Sequence, residues 1–343
     1  MARVVVVTGG SAGVGRATVE KFAREGWDVG VIARGKGRLE RTAAAIRARG
    51  RRVCAVSADV ADADAVEAAA EQIERTLGPP DVWINNAMAT AFAPVASLTA
   101  AEFLRGTRVT YLGQVHGTLS ALRRMRQRNA GTIVNIGSAL SYRAIPLQSV
   151  YCAAKYAVRG FTDALRCELL HDGVRVHLTM VHLPALNTPQ FEWALNKMPR
   201  RPQPVPPIFE PEVAARAIYF AATHRRREVW VGWPTVKAIV ANKLAPGLLD
   251  RYLARQGYEG QLSAEPRSAD APANLFEPVE GDWGAHGRFD DRARARSGQL
   301  WLSRHRVELG LAAMLGAACL WWLTPRSSVR GRSRCTGHLS TPK

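Results

Sequence analysis

The stretch "RVVVVTGGSAGVGRATVEKFAREG", residues 3–26, decides the fold. Its opening "RVVVV" is apolar without alternation, the pattern of a strand buried on both faces. The closing "VGRATVEKFAREG" is an amphipathic helix pattern. Between them stands "TGGSAGVG" (8–15). Glycines placed there let the backbone turn tightly and approach a pyrophosphate. The helix N-terminus that follows supplies free N–H groups and the positive end of its dipole.

The same alternation runs outward to residue 182. Apolar runs stand at "DVGVIA" (28–33), "RVCAVSA" (52–58), "DVWIN" (81–85), "GTIVNIG" (131–137) and "RVHLTMV" (175–181), with helical stretches between them. Regular strand–helix alternation means a parallel sheet covered on both faces. The expected fold is therefore α/β, a doubly wound parallel sheet of the Rossmann type. The helix-like "EPEVAARAIYFAATH" and the short "EVWVG" (228–232) complete it. A sheet of this kind binds ligands at the carboxyl ends of its strands.

Composition narrows the class. The chain has 343 residues, 47% of them hydrophobic, enough for a substantial core. The 47 Lys+Arg against 29 Asp+Glu give a formal charge of +18. These basic residues are spread out, as in "RRMRQR" (123–128) and "HRRR" (224–227), and are not interleaved with aromatics along one stripe. Nucleic acid is not expected as a partner. Five scattered Cys form no CxxC pair, so no metal site is expected and a reduced compartment fits best. The N-terminus enters a strand pattern at once and leaves no room for a signal peptide.

A second motif carries the chemistry. "YCAAK" (151–155) lies in an amphipathic stretch, so Tyr151 and Lys155 share one helix face. Taken alone, such a pair is commonly a Tyr at the core edge and a solvated Lys. A cation held beside a phenol favours the phenolate and lowers its pKa. A Tyr tuned in this way passes a proton to or from an alcohol or carbonyl oxygen.

"TGGSAGVG", "NNA" (85–87), Ser138 and "YCAAK", in this order and spacing, closely resemble the classical short-chain dehydrogenase/reductase family over residues 1–235. The resemblance implies that Gly9, Gly13, Val14 and Gly15 shape the dinucleotide loop and that Ser11 contacts phosphate. Asp59 and Val60 would flank the adenine, and Asn86 would lie against the cofactor. Tyr151 would be the acid/base. Lys155 would lower its pKa and bond the nicotinamide ribose, and Ser138 would donate to the substrate oxygen. Three departures stand out: Met88 replaces a Gly after "NNA", Thr110 replaces the Asn of a water relay, and "LPALNTP" lacks the usual Pro-Gly. Thr110 is kept as a catalytic candidate, and Thr188 as a contact of the nicotinamide amide.

After the second strand the chain reads "ARGKGR", with Arg34 where users of NAD carry an acid. A guanidinium suits a 2′-phosphate, so NADP(H) is favoured over NAD(H). The expected activity is hydride transfer between NADP(H) and a small-molecule carbonyl or secondary alcohol, a lipophilic one. A non-catalytic dinucleotide-binding regulator and a sugar-nucleotide epimerase or dehydratase remain open alternatives, as does a homo-oligomer.

The expected organisation is a dinucleotide domain over 1–255, an irregular extension over 256–300, and a hydrophobic helix with a basic tail over 301–343. A Pro-rich loop interrupts the pattern at 183–210. "VELGLAAMLGAACLWWLTP" (307–325) has no polar face from Leu309 on and is flanked by Arg. A C-terminal membrane anchor is expected there, with the catalytic domain on the cytoplasmic side.

Overall fold

The structure is a computed structural model and describes residues 2–323. Seven parallel strands form the sheet: β1 Val4–Thr8, β2 Asp28–Ala33, β3 Val53–Ser57, β4 Val82–Asn85, β5 Thr132–Ser138, β6 His177–Leu183 and β7 Glu228–Trp230. Their order is β7-β6-β5-β4-β1-β2-β3. The order reverses between β1 and β4, and this crevice is where such a sheet receives a ligand.

The unbroken apolar runs are explained by burial on both sides. Val5, Val7, Val29 and Val31 pack on one face with Phe22 and Ile218. Val4, Val6 and Ile32 pack on the other with Ile73 and Met125. The first layer is built by α1 Gly13–Arg24, α2 Lys36–Arg47 and, later in the chain, α7 Pro211–Thr223. The second is built by α3 Ala63–Leu77, α4 Ala100–Thr107, α5 Gly113–Arg128 and α6 Ser149–His171.

A buried polar network fixes the second layer on the sheet. Asn85 Nδ2 donates to Thr118 Oγ1 at 2.9 Å and to Asn135 Oδ1 at 2.8 Å. Asn135 Nδ2 in turn donates to Thr162 Oγ1 at 2.9 Å. This ties β4, β5, α5 and α6 together and so sets the height of α6 above the strand ends. Fully partnered amides hold such a position more specifically than apolar packing alone.

The Pro-rich segment is folded. It holds the turn Gln190–Trp193, and its Phe191 and Ile208 form a small core with Phe92 and Phe289. Two helices follow β7: α8 Gly232–Leu244 and α9 Pro246–Gln256. Residues 257–297 contain only short regular pieces, among them Leu262–Pro266 paired antiparallel with Arg200–Pro202. Contacts divide the chain into Met1–Trp301 and a second unit that begins at Leu302.

The membrane anchor expected over 307–325 is not supported. The helix Arg306–Leu323 carries Arg306 and Glu308 in its first turn, so its apolar stretch starts at Leu309. At ~1.5 Å per residue the stretch to Leu323 covers roughly 22 Å, short of a hydrocarbon core of about 30 Å. Among the described residues, no helix is long and apolar enough to cross a membrane. The basic tail lies outside the described residues.

Candidate active site

The loop between β1 and α1 closes only because two residues lack a Cβ. Gly9 has φ +67°, and its amide donates to Ile32 O at 2.7 Å. A Cβ on Gly15 would stand 2.1 Å from Gly9 O and 2.6 Å from Asn86 Nδ2. Asn86 braces the loop from β4, donating from Nδ2 to Thr8 O at 3.1 Å and Gly9 O at 3.2 Å. The first turn of α1 is thereby fixed at the strand ends.

A cavity of about 590 Å³ opens above this loop. Gly9, Ser11, Gly13, Val14, Gly15, Arg34, Asp59, Val60, Asn86, Ser138, Tyr151, Lys155 and Thr188 all line it. Residues that the sequence separates by as much as 179 positions therefore meet at one site. Met88, at the position where the resemblance expects Gly, lines it too.

Ser138 ends β5 and is 8% exposed. Its Oγ accepts from Leu140 N at 3.1 Å, and its hydroxyl also bonds the Tyr151 phenol. Lys155 is 1% exposed, and its Nζ donates to Ile136 O at 2.6 Å and lies 5.5 Å from the centre of the Tyr151 ring. Burial pushes the Lys155 ammonium down to about 7. Burial also raises the Tyr151 phenol above its usual value, and the Ser138 hydroxyl draws it only part of the way back. The lowered Tyr151 pKa expected from the sequence is therefore not what this cavity produces. The ammonium is directed at a backbone carbonyl, and desolvation dominates both groups.

Thr110 does not line the cavity. It sits in a π-helical turn, Arg108–Leu112, between α4 and α5. Its Oγ1 donates to Ala89 O at 2.8 Å and accepts from Ala89 N at 2.9 Å. The hydroxyl thus ties the π turn to the segment after β4. Asp59 is spread over two contacts, accepting from Ala61 N at 3.0 Å and from Arg105 Nη2 at 2.5 Å.

The lining also includes residues that sequence reasoning missed. Arg38, in the first turn of α2, joins Arg34 of the β2–α2 connection in the lining, with its guanidinium 5.1 Å above the Trp193 ring. The available signal was the cluster of basic residues in "ARGKGR" (33–38) directly after the second strand. Gln148, Trp193, Val205, Leu253 and Asn274 carried no such signal, because they come from α6, the Pro-rich segment, α9 and the extension.

A nicotinamide dinucleotide fits these residues. The volume is that of a ligand pocket, glycines permit close backbone approach, and a deeply buried lysine faces the space. A family model described as short chain dehydrogenase matches residues 3–195, and the chain belongs to this family of oxidoreductases. The uncharacterized oxidoreductase YxnA of Bacillus subtilis is 29% identical over 323 residues, covering 93% of this chain and 89% of its own length. Among solved structures, a short chain dehydrogenase/reductase from Burkholderia phymatum in complex with NAD aligns with TM-score 0.64 and 23% identity, covering 82% of this chain and 98% of that one. An alcohol dehydrogenase from the archaeon Thermococcus sibiricus, complexed with 5-hydroxy-NADP, aligns with TM-score 0.59 and 24% identity over 67% of this chain and 96% of its own. At these identities the two structures are evidence for the fold.

Proposed function

We propose that the protein is an NADP(H)-dependent oxidoreductase acting on a lipophilic carbonyl or secondary alcohol, with Tyr151 as the acid/base. The observation that carries this reading is the meeting of Tyr151, Ser138 and Lys155 in the cavity that also holds the Gly-rich loop and Arg34. A solved structure of the same fold is complexed with 5-hydroxy-NADP and another with NAD, so the fold accepts either kind of cofactor. Arg34 favours the phosphorylated one, since its planar fork matches a 2′-phosphate.

When bound, the nicotinamide supplies or accepts the hydride. The rest of the chemistry falls to the chain. In the reductive direction Tyr151 gives its phenolic proton to the carbonyl oxygen as the carbon accepts a hydride, and solvent water reprotonates the phenolate. Ser138, which bonds the Tyr151 phenol, donates its hydroxyl hydrogen to the same oxygen and stabilises the charge that develops there. Lys155 would hold the nicotinamide ribose and bias the phenol beside it.

The substrate class follows from charge. The charged residues lining the cavity are Arg34, Arg38, Asp59 and Lys155, all at the dinucleotide or acid/base positions. Elsewhere the wall is uncharged, with Phe191, Val205, Leu253, Gln148, Thr235 and Tyr252 among its residues. A charged substrate group would be desolvated there without a counter-ion.

The test is Tyr151→Phe, assayed with NADPH against a panel of lipophilic ketones and aldehydes. Turnover is expected to fall by roughly 10²–10⁴-fold, the usual contribution of a positioned acid. NADPH affinity, read by fluorescence titration, should stay within about twofold of wild type, because the ring remains. Near-normal turnover in this variant refutes the assignment.

A further inference from the structure

We infer that residues 274–287 form a built-in cover over the adenosine half of the cofactor site, which must lift for the dinucleotide to exchange. The inference rests on the reading of this cavity as a dinucleotide site. The segment lies in the extension, outside the part of the chain that the family model matches.

Its contacts fall on the residues assigned to the cofactor. Arg34 Nη2 donates to Asn274 O at 2.5 Å and Nη1 to Phe276 O at 2.6 Å. Arg38 Nη1 donates to Val279 O. Gly13 N, the first amide of α1, donates to Gly284 O at 2.9 Å. Main-chain carbonyls thus take up N–H groups along one edge of the site, and that requires the segment to be laid down in a single register.

Two side chains anchor it. Leu275 is 1% exposed and joins the core cluster that contains Val60 and Val109. Trp283 meets the ring of Trp193 edge-on, with centroids 5.2 Å apart. At its far end the segment reaches the loop after β6, where Gly287 N donates to Asn187 O at 3.3 Å. It therefore spans the site from the β3 side to the β6 side.

The segment covers the site without filling it. The cavity of about 590 Å³ persists beneath it, with Asn274 in its wall. Arg34 gives two of its five N–H groups to the segment and keeps the others for a phosphate. The carbonyls of Asn274 and Phe276 orient the fork rather than consume it. A ligand enclosed in this way leaves only as fast as its cover opens.

The experiment measures NADPH dissociation by stopped-flow fluorescence in the full chain, in Leu275→Asp and in Trp283→Ala. Dissociation is expected to accelerate at least tenfold in Leu275→Asp, which places a carboxylate in an apolar socket. It should accelerate a few-fold in Trp283→Ala, which removes one ring contact and decides the matter if Leu275→Asp does not fold. NADPH is also expected to slow tryptic cleavage at Arg288 and Arg292 in wild type. Unchanged dissociation in a folded variant, or cleavage indifferent to NADPH, overturns the cover while leaving the dinucleotide reading intact. Absence of any NADPH or NADH binding in wild type overturns both.

Discussion

Two regions build one cavity by opposite means. The strand–helix frame, residues 4–183, contributes side chains and amides at the ends of parallel strands, each placed by local periodicity. The extension from 257 onward contributes mainly carbonyl groups, delivered to Arg34 from residues 240 and 242 positions away. The frame's core clusters lie mainly between sheet and helices, and the extension adds Leu275 to one and Leu300 to the other. Among its described residues the extension buries only four large apolar side chains, Leu262, Leu275, Phe289 and Leu300. One region sets the chemistry, and the other governs access to it.

The sharpest test of this contrast compares two glycines. Gly15 in the frame has no room, as its Cβ would stand 2.1 Å from Gly9 O. Gly284 in the extension has φ +55° and nothing within 4 Å of a Cβ. Gly15→Ala must therefore push the loop away from α1, costing about 1–3 kcal/mol in stability and distorting the site. Gly284→Ala meets only backbone strain, roughly 1 kcal/mol. Urea melts and NADPH titration of the two variants give the order. If Gly284→Ala proves the more damaging, the division of labour is wrong.

The sequence made the frame readable because its signals are local. "RVVVV" is buried on both faces as its lack of alternation requires, and the 3.6-residue period puts Tyr151 and Lys155 into one cavity. The Gly-rich loop is legible because Gly9 needs φ +67° and Gly15 has no space for a side chain. The extension offered nothing comparable. The groups it uses against Arg34 and Gly13 are backbone carbonyls, which every residue carries, so "ANLFEPVEGDWG" (273–284) does not announce its role. The apolar run at 309–323 shows the opposite limit: its lack of a polar face suggests a membrane segment, yet the run is too short to span. The electrostatics of Tyr151 were also out of reach. The i, i+4 spacing shows that a cation is near but does not show that burial outweighs it.

The next effect belongs to the frame alone. Lys155 is driven down to about 7 by burial, whereas an unfolded lysine titrates near 10.4. Between those values the unfolded chain holds a proton that the folded protein has released. Stability of the cofactor-free protein therefore rises with pH across this window, and the contribution is absent below about pH 7. Lys155→Met removes the titration. The variant is expected to be more stable than wild type at pH 6 and to lose that advantage progressively toward pH 10, as read from denaturation midpoints. A stability difference that stays constant with pH would show that the ammonium is not desolvated as its burial implies.

The last test contains the smallest effect and is the most informative, because Arg34 belongs to both regions. Its backbone follows directly after β2 of the frame, and its guanidinium holds the carbonyls of Asn274 and Phe276. Arg34→Ala should therefore produce two separable losses. The first falls on NADPH alone: a charge-assisted contact to a 2′-phosphate contributes about 1.5–3 kcal/mol, or roughly tenfold or more in affinity. The second falls on NADPH and NADH alike, because the cover loses two of its hydrogen bonds whichever cofactor lies beneath. That shared part should be only a few-fold, since neutral carbonyl acceptors remain free to bond water when the cover lifts. Titration of both cofactors against wild type and variant separates the parts: the ratio of the two losses reports the phosphate, and the NADH loss alone reports the cover. Equal losses for both cofactors would remove the 2′-phosphate role and leave Arg34 as a fastener of the extension. No NADH loss at all would show that the carbonyl contacts contribute nothing to holding the cover down.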